Sequence, residues 1–306
     1  MPRATIATTN PDTIEIEYEA FGSSDDPALL LVMGFTAQLV AWDTDFCQLI
    51  ADRGRHVIRY DNRDCGLSTR FDGQSIEPMA VMQAQLQGDP LPPTPYTLSD
   101  MAADAVGLLD ALGIDRAHVA GASMGGMIAQ MIAIEHPDRV LSLTSIMSSP
   151  GDPRAGAPTA EALEVLLSPP PGDRQAYIDN SERSTVWASK RHVDIDKIRR
   201  RAAEAFDRAF YPEGAPRQLA AIYASGDRTA RLGELRVPTL VIHGRDDTLI
   251  QPDGGVQTAA AIPDANLLLL AHMGHDLPQP LWPVIVDAIV SHTAHAAVPA
   301  AAMEQR

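Results

Sequence analysis

The chain has 306 residues, with 24 Lys and Arg against 40 Asp and Glu, a formal charge of −16. Such an excess of acid argues against a general nucleic-acid surface, which needs clustered cations. Hydrophobic residues make up 45 %, which excludes wholesale disorder, and the length points to two domains or to one large α/β domain with an insertion.

The segments alternate along the chain. Residues 4–9 and 13–21 are β-prone runs separated by Asn10, Pro11 and Asp12, the signature of an N-terminal hairpin. Residues 28–33 form a continuous apolar run, as expected for a strand buried on both faces of a sheet. A helix is predicted over 42–53, a strand over 56–60, and a helix over 99–112 with Ser99 as N-cap and Gly113 as stop. The stretch 75–95, rich in Met, Gln and Pro, reads either as part of the mouth of a site or as a surface loop. Strand 117–120, helix 124–135 and strand 140–147 follow, and strand 237–243, helix 253–262, strand 266–270 and helix 281–291 close the pattern. Eight strands in this order predict a mostly parallel, doubly wound sheet covered on both faces.

The alternation stops between residues 148 and 233. That stretch carries many prolines and then helical segments at 160–167, 173–188 and 196–210. An insertion of helices alone between two strands is most simply a cap over one edge of the sheet. The division expected is therefore a core of 1–147 and 234–293, a helical cap of 148–233 and a flexible Ala-rich tail of 294–306. Cys47 and Cys65 stand in no metal-ligand or redox spacing and do not make a disulfide scaffold. No apolar run reaches the length of a signal-peptide core or a membrane span. A cytoplasmic protein with no stable membrane insertion is expected; the oligomeric state is open.

The strongest local signal is Gly121-Ala122-Ser123-Met124-Gly125, followed by Gly126. A nucleophile held on a sharp strand-to-helix turn needs small neighbours, and Gly-x-Ser-x-Gly supplies them. The apolar strand before it and the helical pattern after it give the motif its weight. The competing dinucleotide-binding turn fails, because Ser123 stands where its second glycine should be. A serine nucleophile needs a base, and the base an orienting acid. Of nine histidines, only those after late strands lie at the carboxyl edge of a parallel sheet, where functional residues gather. His275, after Gly274, is the preferred base, with His272 its competitor. Asp247 is the preferred acid in His243-Gly244-Arg245-Asp246-Asp247, with Asp246 read as a turn carboxylate. The chain order Ser, Asp, His matches one known triad order and excludes the two common protease orders. The oxyanion formed on attack needs two fixed donors. These are expected from the backbone N–H of Met124, opening its helix, and of Phe35, where Gly34 lets the chain turn close to the substrate. No metal or organic cofactor is implied.

Gly-Ala-Ser-Met-Gly-Gly, His243-Gly-Arg-Asp-Asp, Met273-Gly-His275 and Tyr60-Asp-Asn-Arg-Asp-Cys-Gly-Leu-Ser68 together resemble the α/β-hydrolase superfamily over nearly the whole chain. More narrowly, Leu-Val-Met-Gly and the run from Gly274 to Trp282 look like actinobacterial esterases of the aclacinomycin methylesterase type and the mycobacterial lipase-esterase G type. The resemblance implies the α/β-hydrolase fold with an inserted helical cap, and a serine carboxylesterase, lipase-like, acting on a small-molecule ester. Two positions depart from the wider superfamily: Met33 replaces the usual His of the oxyanion loop, and Asp64 the usual Gly after Asp-x-Arg. The same triad also serves thioesterases, lactonases, C–C hydrolases and perhydrolases, and the same fold serves non-catalytic small-molecule binding proteins. A final feature is the segment Arg183 to Arg208, with eight cations against five acids from Glu182 onward. It reads as a solvated helix face or as a basic lip for anionic esters.

Overall fold

A computed structural model of the chain describes residues 1–8, 11 and 13–296. β1 (Arg3–Ala7) and β2 (Thr13–Phe21) pair antiparallel, Arg3 opposite Glu17 and Ala7 opposite Thr13. This is the expected hairpin; Asn10 and Asp12 of its turn lie outside the described residues. β3 (Ala28–Val32), α1 (Thr44–Ala51) and β4 (His56–Tyr60) follow, then α2 (Pro78–Gln87), α3 (Leu98–Ala111), β5 (Ala117–Ala122), α4 (Met124–Glu135) and β6 (Val140–Ile146). Helices alone fill the next stretch: α5 (Ala160–Leu167), α6 (Arg174–Asn180), α7 (Ile195–Ala209), α8 (Ala215–Ser225) and α9 (Thr229–Leu232). The chain then returns to the sheet with β7 (Thr239–Gly244), α10 (Pro252–Ala261), β8 (Asn266–Leu270) and α11 (Trp282–Ala296).

The strands form one eight-stranded sheet in the order β1-β2-β4-β3-β5-β6-β7-β8, parallel in every pair from β4 to β8. All five residues of β3 and all six of β5 are buried, as strands between two helical layers must be, and the one polar side chain among them, His118 of β5, meets Ser142 Oγ at 2.8 Å. One face packs Leu30 and Val119 against Leu108, Ile128 and Ile132 of α3 and α4. The other packs Leu29, Leu31 and Ile242 against Phe46 of α1 and Ile285 and Ile289 of α11.

The chain leaves β3 first toward β4 and later toward β5, on the opposite side of β3. This reversal opens a crevice at the carboxyl ends of β3 and β5, the general place for ligands in open α/β sheets. Leu163, Tyr177 and Leu219, from the helices between β6 and β7, line the cavity that Ser123 also lines. Tyr177 of α6 meets Phe206 of α7 and Phe210 with ring centroids 5.4 and 5.5 Å apart, so aromatic packing joins the two helices.

Several local expectations change. The cap of α3 is Thr97, not Ser99: the Thr97 hydroxyl accepts from Asp100 N–H while the Asp100 carboxylate accepts from Thr97 N–H. The helix expected over 173–188 breaks after Asn180 into a 3₁₀ segment, Ser181–Val186. The stretch 75–95 contains α2, on which Val81 is the buried residue. Residues 294–296, expected in the tail, belong to α11; residues 297–306 lie outside the described residues. Among the described residues, no helix is long and apolar enough to cross a membrane.

Candidate active site

Val32 of β3 and Gly121 of β5 are paired neighbours, so the turns that follow these strands emerge side by side. After β5 the chain reverses into α4 at Ser123, whose φ of 58° and ψ of −125° are rare for a residue with a side chain. The corner is held by close backbone approach. A Cβ on Gly121 would stand 1.9 Å from the carbonyl oxygen of Gly125, and one on Gly125 would stand 2.1 Å from that of Val32. Neither obstacle is a movable side chain. Gly121→Ala is therefore expected to cost about 3 kcal/mol, at the upper end for overpacking. Urea denaturation checks this, and a loss below about 1 kcal/mol would mean that the corner yields freely.

The turn after β3 runs Gly34-Phe35-Thr36-Ala37, closed by Ala37 N–H donating to Gly34 O at 3.2 Å. Gly34 has to be small, because a Cβ there would lie 3.0 Å from the Cβ of Ser123. Thr36 sits at φ 56°, an unfavourable place for a β-branched residue. Its N–H donates to Gln218 Oε1 of α8 at 2.8 Å, and Gln218 Nε2 donates to Arg63 O at 2.8 Å. A buried amide from the inserted helices thus fixes the turn that presents Phe35 N–H. Met124 opens α4, so its N–H is among those without an intrahelical acceptor.

Opposite this corner, His275 Nδ1 lies 2.8 Å from Asp247 Oδ2. The other carboxylate oxygen of Asp247 accepts from Leu249 N–H and Ile250 N–H, both at 2.9 Å, and the side chain is fully buried. Burial opposes its ionisation, but the imidazoles of His275 and His243 beside it prevail and hold its pKa at about 2. The competitors separate cleanly. Asp246 makes its recorded contact through the backbone, N–H to Met273 O, while His272 is exposed and turns its Nε2 toward Arg191. Ser123, Met124, Gly34, Phe35 and His275 line one cavity of about 760 Å³. Among the described residues no hydrogen bond joins Ser123 Oγ to His275, a separation common in unliganded sites. Nor do three His, Cys, Asp or Glu side chains gather there to hold a metal ion.

Four features escape a reading of the sequence. His243, at the end of β7, is buried 3.4 Å from Asp247 Oδ2 and bonds through Nε2 to Ile250 O at 2.8 Å. The loop of His275 is pinned from the insertion: His275 N–H donates to Trp187 O at 2.7 Å, and Ser189 N–H to Asp276 Oδ1 at 3.1 Å. Arg228 is buried, with burial lowering its pKa to about 10, and donates to Gln130 Oε1, Ser149 O and Gly226 O. It fastens both ends of the insertion to α4. Finally, five of the eight cations of the supposed lip are paired with acids. Arg199 pairs with Asp179 and Glu182, Lys197 and Arg201 share Asp43, Arg183 meets Glu164 and Arg208 meets Asp61. Arg63 reaches Asp104 of α3 in a buried bidentate pair.

A sequence profile of the α/β hydrolase fold matches residues 27–278. The rhodomycin D methylesterase DauP of Streptomyces sp. strain C5 is 28 % identical over 314 residues, covering 94 % of this chain and 97 % of that one. Among solved structures, the enol-lactonase of Burkholderia xenovorans LB400 superposes with a TM-score of 0.71 at 22 % identity, over 96 % of this chain and 100 % of that one. The meta-cleavage product hydrolase of Pseudomonas fluorescens IP01 gives a TM-score of 0.73 at 20 % identity, over 95 % and 97 %. The elbow at Ser123, the sheet order and this match over most of the length agree, and the chain belongs to the α/β-hydrolase fold family, as a hydrolase.

Proposed function

We infer that the protein is a serine carboxylesterase using Ser123 as nucleophile, His275 as base and Asp247 as its orienting acid. The observation that carries this reading is the 2.8 Å Asp247–His275 contact facing the cavity into which the strained Ser123 corner projects. In the proposed cycle Ser123 Oγ attacks the ester carbonyl carbon and its proton passes to His275 Nε2. The oxyanion accepts from Phe35 N–H and Met124 N–H. Collapse breaks the C–O bond, and His275 returns the proton to the departing alkoxide. Water, deprotonated by the same imidazole, then cleaves the acyl-enzyme and restores Ser123. Residues 148–233 act as the cap over this site, and the two buried free thiols, Cys47 and Cys65, suit a reducing cytoplasm.

The similarity to a methylesterase supports an ester over a thioester, lactone or carbon–carbon bond as the group cleaved. Labelling with a fluorophosphonate probe, with the adduct mapped by mass spectrometry, tests the reading. Modification of Ser123 and turnover of p-nitrophenyl esters from acetate to palmitate are expected. No labelling and no turnover would leave a binding protein of the same fold.

Gln218 gives a second test. Gln218→Met keeps the volume but removes the acceptor for Thr36 N–H, releasing the strained turn. The expected result is a fall in kcat of about tenfold or more, with KM changed less than about threefold, since the turn serves the transition state. An unchanged kcat would show that Phe35 N–H holds its place without help.

A further inference from the structure

Ser123 sits beside one of two adjoining chambers that share lining residues. The first, of about 760 Å³, is lined by Ser123 itself. The second, of about 1200 Å³, is not, but His275 lines both, as do Phe35, Tyr177 and Trp187. The first alone matches the roughly 300–1,000 Å³ that encloses a whole small-molecule ligand, and the second exceeds it.

The two walls differ in chemistry. Five of the eleven methionines, Met33, Met82, Met124, Met127 and Met147, line the first chamber, and four of these are buried. Unbranched thioethers adapt to apolar groups of varied shape. Leu86 of α2 and Leu163 of α5, two exposed apolar side chains, also line this chamber. The second chamber has aromatic walls, Phe210 and Tyr211 with the shared Tyr177 and Trp187, and a charged rim that includes Asp194 and Arg201.

Reaction geometry tells the chambers apart. The departing oxygen takes its proton from His275, which also lines the second chamber and so gives the alcohol a way out there. The acyl carbon is bonded to Ser123 during the cycle, and Ser123 lines the first chamber, which assigns the acyl chain to that side. A methyl ester would leave the second chamber to solvent, and an acetyl group would do the same to the first. Resting on the esterase reading above, we propose that the ester this enzyme is shaped for is large on both sides: an apolar acyl group in the methionine chamber and a bulky polar hydroxyl compound in the aromatic one. Hydrolysis needs water alone, whose hydroxyl joins the acyl carbon while its hydrogen ends on the alcohol. Contacts with both remote parts then serve the transition state, so truncating either side lowers kcat as well as raising KM.

Four esters of primary alcohols separate the two sides: methyl acetate, methyl dodecanoate, glucose 6-acetate and glucose 6-dodecanoate, followed by acid release on the full chain. The expected kcat/KM for glucose 6-dodecanoate exceeds that of methyl acetate by about 100-fold or more, and that of each singly large ester by about tenfold. Two variants assign the chambers, with far- and near-ultraviolet circular dichroism reporting that each is folded. Met82→Trp is expected to lower activity on dodecanoates about tenfold and spare acetates, while Ala205→Phe, in the second chamber, lowers activity on glucose esters and spares methyl esters. Equal or better turnover of the methyl esters by the wild type overturns the proposal, and so does an exchange of the two variants' effects. Turnover of p-nitrophenyl acetate without any size preference would sink this inference alone. Absence of that turnover, together with absence of probe labelling, would sink the esterase reading beneath it.

Discussion

Replacing Ser123 with Ala is expected to lower kcat by about 10⁴-fold or more, with far- and near-ultraviolet circular dichroism unchanged. The size follows from what remains. Without Oγ no acyl-enzyme can form, and hydrolysis must proceed by direct attack of water. The N–H groups of Phe35 and Met124 and the two chambers are untouched, so substrate still binds and the loss falls on kcat. The fold is insensitive because the strained φ of 58° is imposed by the surrounding backbone: Ser123 N–H donates to Ile146 O at 2.9 Å, and Ser123 O accepts from Gly126 N–H at 2.9 Å. None of these contacts uses the hydroxyl. Steady-state kinetics on p-nitrophenyl butyrate decides the matter, and a folded variant within tenfold of the wild-type rate would remove Ser123 from the chemistry.

What could be read ahead of the structure follows a physical divide. β3 and β5 announce themselves because both faces of a central parallel strand must be apolar or small. Gly121 and Gly125 are legible because close backbone contact leaves no room for a Cβ. Gln218 and Arg228 are not legible, since each works by bonding to backbone groups far away in the chain: Thr36 and Arg63 for one, Ser149 for the other. A side chain that serves a remote carbonyl leaves no periodicity. The cap cations mislead for a related reason. A local excess of Arg and Lys looks free until the fold brings Asp43 and Asp61 from the core against it. α2 hides because Val81 is its buried residue and it packs chiefly against α8, so neither helical nor loop patterning dominates its sequence.

Asp247→Asn is expected to lower kcat by about 10⁴-fold while retaining the fold, and the hydrogen bonds around this residue say why. Leu249 N–H and Ile250 N–H both point at Oδ1, so that position must accept. The amide oxygen of Asn takes it, and the NH₂ group is left facing His275 Nδ1. A donor there forces Nδ1 to act as acceptor and moves the ring proton to Nε2, the atom that should receive the proton of Ser123. The variant therefore holds the imidazole in place but in the wrong tautomer, and it also loses the charge that stabilises the imidazolium. Alanine would be a poorer probe, because it strands the two backbone donors. The same substitution has a signature in stability. The Asp247 carboxyl titrates at about 2 in the folded protein, below its usual 3.8, so its stabilising contribution is complete above about pH 4 and is lost as pH falls toward 2. Asparagine does not titrate, and the variant's unfolding free energy should fall less steeply with acid over that window. Kinetics at neutral pH and urea melts between pH 2 and 5 measure the two effects independently. A variant that keeps kcat within tenfold of wild type would show that His275 needs no partner at Nδ1.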